Sequence, residues 1–270
     1  MQTQLIGLLA ETFIHVGGGQ AEGVVDLPVA REAVTDYPFI PGSGLKGALR
    51  DWARKQQLDE PQRDNLFGQQ DNAGQVLFAD ARLLALPVRS LHGASRWITC
   101  PQLWERYHRD AKRLGYQDIP ALGPAPGPGQ ALGQGTGRVI LEERGFEMRG
   151  KVPPALSQAL GTLVPHEKTR ERLAQSLLIL HNEDFIWFAR YGLAVQARNV
   201  LNKKTKTSEN LWYEESLPPD TLFYALISER VPGSLETLLR PLAEHPYLQV
   251  GGNETVGQGW LALSLLRAQS

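Results

Sequence analysis

Residues 39–55 read FIPGSGLKGALRDWARK. Pro41, Gly42, Ser43 and Gly44 interrupt whatever precedes them, and Leu45, Leu49 and Trp52 then recur at helical spacing, which predicts a helix starting between Ser43 and Leu45. Upstream, QLIGLLAETFIHV (residues 4–16) is an apolar, β-compatible run ending at Gly17-Gly18-Gly19, a strand entering a glycine loop. Downstream, QVLFADARLLALP (75–87) predicts a strand between Asn72-Ala73-Gly74 and Pro87, and RWITCP (96–101) a shorter one. LWERYHRDAKRLG reads as a polar helix, and ALGPAPGPGQALGQGTG as an excursion without regular structure. EKTRERLAQSLLILH (167–181) predicts a second amphipathic helix with Leu173, Leu177 and Leu180 on one face. DFIWFARYGLAVQARNVLN and LWYEESLPPDTLFYALIS flank a lysine-rich tip, which predicts a protruding β-hairpin over 185–217. A helix (SLETLLRPLAEH), a strand (YLQV), a glycine loop (GGNETVGQG) and a strand (WLALSLL) close the chain. Strands and helices so interspersed predict an α+β fold.

The 270 residues, 42% hydrophobic and 21% charged, suit a chain that buries a sizeable core. No apolar run nears the roughly 18 residues needed to span a bilayer, and the N-terminus lacks the basic start of a signal peptide. The expected location is the cytoplasm, with no membrane partner. A single cysteine, Cys100, excludes a disulfide framework and a cysteine-based zinc site. The net charge of −1 is low for a free-standing nucleic-acid binder and leaves room only for a local basic groove.

Four constellations offer chemistry. In Pro41 to Arg50, glycines at a helix N-terminus expose N–H groups, and Lys46 and Arg50 share one helix face, a phosphate cradle by type. Gly42-x-Gly44-x-x-Gly47 matches the dinucleotide fingerprint without its feeding strand or ribose-binding acid, and the P-loop pattern is absent. Gly251 to Gly259 holds four glycines in nine residues, a loop open to close approach by a polyanion or simply a long turn. His15 and Asp26 flank a glycine loop able to fold them onto one cleft; RNA cleavage by a 2′-hydroxyl needs proton transfer and charge neutralisation of the kind such groups supply. Lys203, Lys204 and Lys206, near Arg198, Trp212 and Tyr213, suit a wedge against nucleic acid or a plain solvated tip.

In order, the segments IHVGGG, VVDLPVARE, FIPGSGLKGALRDWAR, LFG, VLFADARLLALPVRS, RWITCP, LWYEESLPPDTLFY and QVGGNETVGQGW resemble the RAMP superfamily, specifically the backbone subunits of type III-B CRISPR–Cas (Cmr) effector complexes. The likeness covers roughly residues 1–100 and 185–270. It implies a ferredoxin-like (RRM-like) palm, a β-hairpin thumb and, over 102–181, a largely helical and Pro/Gly-rich insertion, all in a single RAMP domain spanning residues 1–270. It implies copies stacked along guide RNA (crRNA) in a helical filament with other Cmr subunits. Each thumb would displace one base pair of the guide–target duplex, beside a metal-dependent cut in the target RNA. The implied catalytic set is Asp26 of VDLP, His15 and Glu214 of YEE, with Glu215 the neighbouring possibility. Asp26 is also the implied ligand of a divalent ion, Mg2+ or Mn2+; general base, metal ligand and orienting group all stay open for it. Many relatives carry a tyrosine where this chain has Ser216. Guide-phosphate contacts carry over to Ser43, Lys46 and Arg50, and to Gly251, Gly252, Asn253, Thr255, Gly257 and Gln258. The two glycine-rich segments are expected to converge on one trough with Asp26 over the opposing strand. The alternatives are a non-catalytic crRNA-binding backbone subunit and a stand-alone RAMP nuclease that processes guide RNA. The hairpin and the lack of a clustered His/Tyr/Lys site speak against the last.

Overall fold

The computed structural model describes residues 1–19, 23–117 and 119–266. In chain order the first half holds β1 (Thr3–Ala10), β2 (Phe39–Ile40), α1 (Gly42–Lys55), α2 (Glu60–Phe67), β3 (Val76–Phe78), β4 (Ala81–Arg89), β5 (Ser95–Thr99) and α3 (Pro101–Arg113). Then come β6 (Gln130–Leu132), β7 (Arg138–Leu141), β8 (Arg144–Gly150), α4 (Pro154–Gly161), α5 (Glu167–Ser176), β9 (Leu177–Leu180) and α6 (Asn182–Tyr191). The chain ends with β10 (Ala194–Leu201), β11 (Ser208–Ser216), β12 (Leu222–Glu229), α7 (Ser234–Glu244), β13 (Tyr247–Gln249) and β14 (Trp260–Leu265).

The centre of the sheet runs β14-β1-β12-β4, all antiparallel, with α1 between β1 and β4 and α7 between β12 and β14. This is the ferredoxin-like arrangement expected of the palm. Beyond β4 the sheet continues through β5, β9, β6, β8 and β7. Alternate residues of a strand face opposite ways, and β1 is apolar on both sides because both are covered. Ile6 and Leu8 join Leu45, Leu49 and Trp52 of α1 and Leu235, Leu238 and Leu242 of α7. Leu5 and Leu9 join Trp104 and Tyr107 of α3, Leu156 and Leu160 of α4, and Leu173 of α5. Gly7 lies where the turn after α4 meets the sheet: a Cβ there would sit 2.6 Å from the Leu163 carbonyl oxygen. Helices thus blanket the sheet face on which RRM-type proteins stack bases, so any RNA must lie along edges and loops.

Several element expectations need correction. The helix expected over 167–181 stops at Ser176, because Leu177–Leu180, buried at every position, pairs with β5 and β6 as β9. The stretch from Phe185 to Tyr191, read as the start of the hairpin, belongs instead to helix α6; His181 Nδ1 accepts the Glu183 N–H, and Glu183 and Asp184 meet the positive end of the helix dipole. The hairpin proper is β10–β11, paired from Ala194↔Ser216 to Leu201↔Ser208. Residues 102–181 hold the C-terminal twelve residues of α3, and α4 and α5, and also strands β6 to β9, one of which, β6, lies within the glycine-rich stretch 121–137. The expected strand 75–87 is broken at Ala79-Asp80, and the strand from residue 4 ends at Ala10. Among the described residues no helix is long and apolar enough to cross a membrane.

Candidate nucleic-acid interface

After β1 the chain turns back on itself. Gly17 bridges Val29, the Gly18 N–H donates to the Pro28 carbonyl (3.0 Å) and the Ala30 N–H to the Val16 carbonyl (2.7 Å). The returning limb lies against the base of the hairpin: the Leu27 N–H donates to the Tyr213 carbonyl (3.1 Å), and the Glu215 N–H to the Leu27 carbonyl (3.0 Å). Asp26, at the open end of this limb, is exposed. Its Oδ2 accepts the Tyr213 N–H at 2.7 Å, Oδ1 takes no hydrogen bond among the described residues, and Asp26 lines a groove together with Leu27, Asn210, Leu211 and Trp212.

His15 is buried. Its Nδ1 lies 2.7 Å from the Glu215 carbonyl oxygen, which only accepts, so Nδ1 is the donor. The glycine loop closes over it. The Gly252 N–H donates to the His15 carbonyl (2.9 Å), and a Cβ on Gly251, whose φ is +83°, would fall 2.2 Å from that oxygen. Glycine at 251 thus serves contact between two parts of the chain, whatever else the loop binds.

Neighbouring residues on β11 diverge, which separates the two glutamates of YEE. Glu214, 4% exposed, accepts from the Asn253 side-chain amide and from Arg198 (3.4 Å). Asn253 and Arg198 also reach Gln258 Oε1, at 3.0 and 3.3 Å. This cluster ties the hairpin base to the glycine loop, so Asn253 and Gln258 spend their side chains on Glu214 and Arg198. Glu215 has both oxygens engaged inside the protein, Oε1 by Arg31 (2.7 Å) and Oε2 by the Val29 N–H (3.0 Å). His15, Asp26 and Glu214 therefore share one anchor, residues 213–215. No hydrogen bond among the described residues joins any two of them directly.

The expected guide contacts divide. Ser43 is exposed at the start of α1, where the Gly42 N–H already donates to Asp80 Oδ1 (2.7 Å). Lys46 is half-buried and forms no ion pair among the described residues. Arg50 is committed to α2, donating to Asp64 and to the Gly68 carbonyl, both at 2.5 Å. The Gly251–Gly259 loop meets the other end of the helix, through Lys55 to Glu254 at 2.9 Å. A 14-residue helix is about 21 Å long, so the two glycine-rich segments sit at opposite ends of α1 instead of meeting. Thr255, in a single 3₁₀ turn, and Gly257 are exposed. Lys203 and Lys204 are exposed in the turn between β10 and β11, where Asn202 Oδ1 accepts the N–H groups of Lys204 (2.9 Å) and Thr205 (3.0 Å).

Sequence reasoning passed over Arg31 and Glu32, though both stand in VVDLPVARE. Arg106 grips both oxygens of Glu32, at 2.9 and 2.6 Å. Burial pushes that carboxyl up, but the bonds from Arg106 and Thr35 outweigh it and hold it below the usual carboxylate value. For a divalent ion, no three His, Cys, Asp or Glu side chains cluster to form a cage among the described residues. A resident metal held by protein alone does not fit.

A RAMP superfamily model matches residues 8–262. The chain is similar to the CRISPR system Cmr endoribonuclease Cmr4 of Pyrococcus furiosus, 34% identical over 289 residues that cover 98% of this chain and 96% of the relative. It is also similar to the CRISPR system CMR subunit Cmr4 of Saccharolobus solfataricus, at 26% identity over 95% of this chain and 94% of that one. The crystal structure of oligomeric Cmr4 from Pyrococcus furiosus superposes with a TM-score of 0.78 at 26% identity, covering 100% of both chains. With the ferredoxin-like order β14-β1-β12-β4 and a hairpin set at its rim, the chain belongs to the RAMP superfamily and, within it, to the family of the Cmr endoribonuclease Cmr4.

Proposed function

We propose that the chain is a repeating backbone subunit of a type III-B CRISPR effector complex that holds guide RNA and cuts complementary target RNA at Asp26. The observation that carries the reading is the Asp26 carboxylate: exposed beside the hairpin, fixed through Oδ2 to the Tyr213 N–H, with Oδ1 unbonded among the described residues and the residue lining the groove. The endoribonuclease name of the 34% identical relative and the oligomeric crystal structure support cutting and self-association. Stacked copies would align their hairpins along one guide and space the cuts regularly.

In cleavage by a 2′-hydroxyl, the hydroxyl oxygen attacks the adjacent phosphorus, the bond to the 5′-oxygen breaks, and the 2′-proton leaves to a base. Asp26 Oδ1 is placed to orient that hydroxyl or take its proton, an effect worth typically 10²–10⁴-fold. His15 and Glu214 act by fixing the glycine loop and hairpin base around Asp26. Asp26 would also be a protein ligand for a Mg2+ or Mn2+ ion, which binds commonly through one or two carboxylates plus substrate phosphates. Guide contact falls to the exposed N-terminal turn of α1 with Ser43 and Lys46, to the outer backbone of the 251–257 loop, and to Lys203 and Lys204.

The test is a complex reconstituted with guide RNA and the other Cmr subunits. Asp26→Ala should assemble normally and lose periodic cutting by at least about 100-fold. Cutting at the wild-type rate would leave only the non-catalytic backbone role. Chelation with EDTA should stop target cutting; an unaffected rate would remove the ion from the proposal.

A further inference from the structure

We propose that the Arg31–Glu215 pair is a positioning device for target cutting, holding the His15 and Asp26 segments in register on β11 without touching RNA. The inference rests on the reading that Asp26 cuts. Glu215 is 5% exposed and every polar group it owns is committed within the protein. Its N–H donates to the Leu27 carbonyl (3.0 Å), and its carbonyl accepts from His15 Nδ1 (2.7 Å). Its Oε2 accepts the Val29 N–H (3.0 Å), and its Oε1 pairs with Arg31 (2.7 Å). One buried residue thus binds the limb that presents Asp26 at two points and the histidine at a third.

Arg31 secures the same limb from its far side. Its guanidinium donates to the Ala189 carbonyl near the end of α6 (2.7 Å), to the Asp36 carbonyl (3.0 Å) and to Glu215. The limb is therefore stretched between β11 and α6, with Asp26 five residues before Arg31. Leu27 and Val29 both hydrogen-bond to Glu215, and this sets where the Asp26 carboxylate meets the Tyr213 N–H. A buried charge pair is a poor stabiliser but a stringent geometric constraint, since either charge left alone must find another partner. Catalytic groups tolerate little displacement: a misplacement near 1 Å costs about 100-fold in rate.

The experiment uses the guide-loaded complex with Glu215→Gln, Arg31→Gln, the double variant and Asp26→Ala. Guide occupancy and target affinity are measured first, then the single-turnover cutting rate at saturating target. Glu215→Gln keeps the backbone bonds and an oxygen for Val29. We expect each single variant to cut about 10- to 100-fold more slowly with target affinity unchanged, and the double to be no slower than the worse single, because both act through one contact. Wild-type cutting by a fully occupied Glu215→Gln complex overturns the inference. So does a rate loss matched by lost guide occupancy or target affinity, since that marks a purely structural pair. If Arg31→Gln fails to assemble, Arg31→Lys decides under the same measurements: slower cutting at full occupancy supports positioning, an unchanged rate overturns it. Undiminished cutting by Asp26→Ala would instead sink the reading of Asp26 itself.

Discussion

The palm and the hairpin are built on opposite principles. In β1, Leu5, Ile6, Leu8 and Leu9 are all buried, enclosed by helices on both faces of the sheet. In the hairpin, Val195, Leu201, Leu211 and Tyr213 are each about half exposed, and among the described residues β10 pairs only with β11. A two-stranded ribbon with no core is marginal in water. This one is fixed at its root by polar side chains, Glu214 to Arg198 and Asn253, and Glu215 to Arg31 and Val29. Burial gives the palm its stability, while hydrogen bonds and charges give the hairpin its direction. The proposed cutting residue sits where the two meet.

Substitutions that strike one principle and spare the other test this contrast. The largest effect should come from Leu8→Ala, which empties a site buried between helices and strands and should cost about 2–5 kcal/mol in denaturant unfolding. A loss below about 1 kcal/mol would mean the core can collapse around the gap. An intermediate effect is expected at Glu32, whose pairing with Arg106 joins the 31–36 loop to α3. Because its folded carboxyl sits below the usual value, its stabilising contribution is complete above the ordinary carboxylate range and disappears as pH falls through the folded value. Glu32→Gln should therefore lower the unfolding midpoint at pH 7 and converge with the wild type in acid; parallel curves would exclude the pair as a source of acid sensitivity. The smallest effect on folding belongs to Lys203→Ala with Lys204→Ala at the exposed tip, within about 0.5 kcal/mol. The same pair should flatten the salt dependence of RNA binding by about 0.7–0.9 in slope per lost phosphate contact. An unchanged slope would take the tip away from the nucleic acid.

Much of the architecture was legible because it depends on local pattern. Leu45, Leu49 and Trp52 announce α1, the final helix–strand–loop–strand unit follows its own turn residues, and the family motifs locate Asp26. The errors fall where local pattern and tertiary pairing disagree. Leu177–Leu180 continues an amphipathic helix on paper, and it becomes a strand because β5 and β6 leave a place in the sheet between them. DFIWFARY has the aromatic content of a strand, yet His181 and the acidic residues after it start a helix.

The sequence alone determined the residue types at the candidate site and the order of the palm elements, since both are written in spacing and composition. Only the tertiary structure decided what each charged side chain is free to do. Arg50, Asn253 and Gln258, expected on the guide, have side chains engaged within the protein, and Glu214 and Glu215, adjacent in sequence, serve different neighbours. The reason is that their partners come from distant segments, 14 residues away for Arg50, 16 and 39 for Glu214, and 184 and 186 for Glu215, and no local pattern records which of them arrives first.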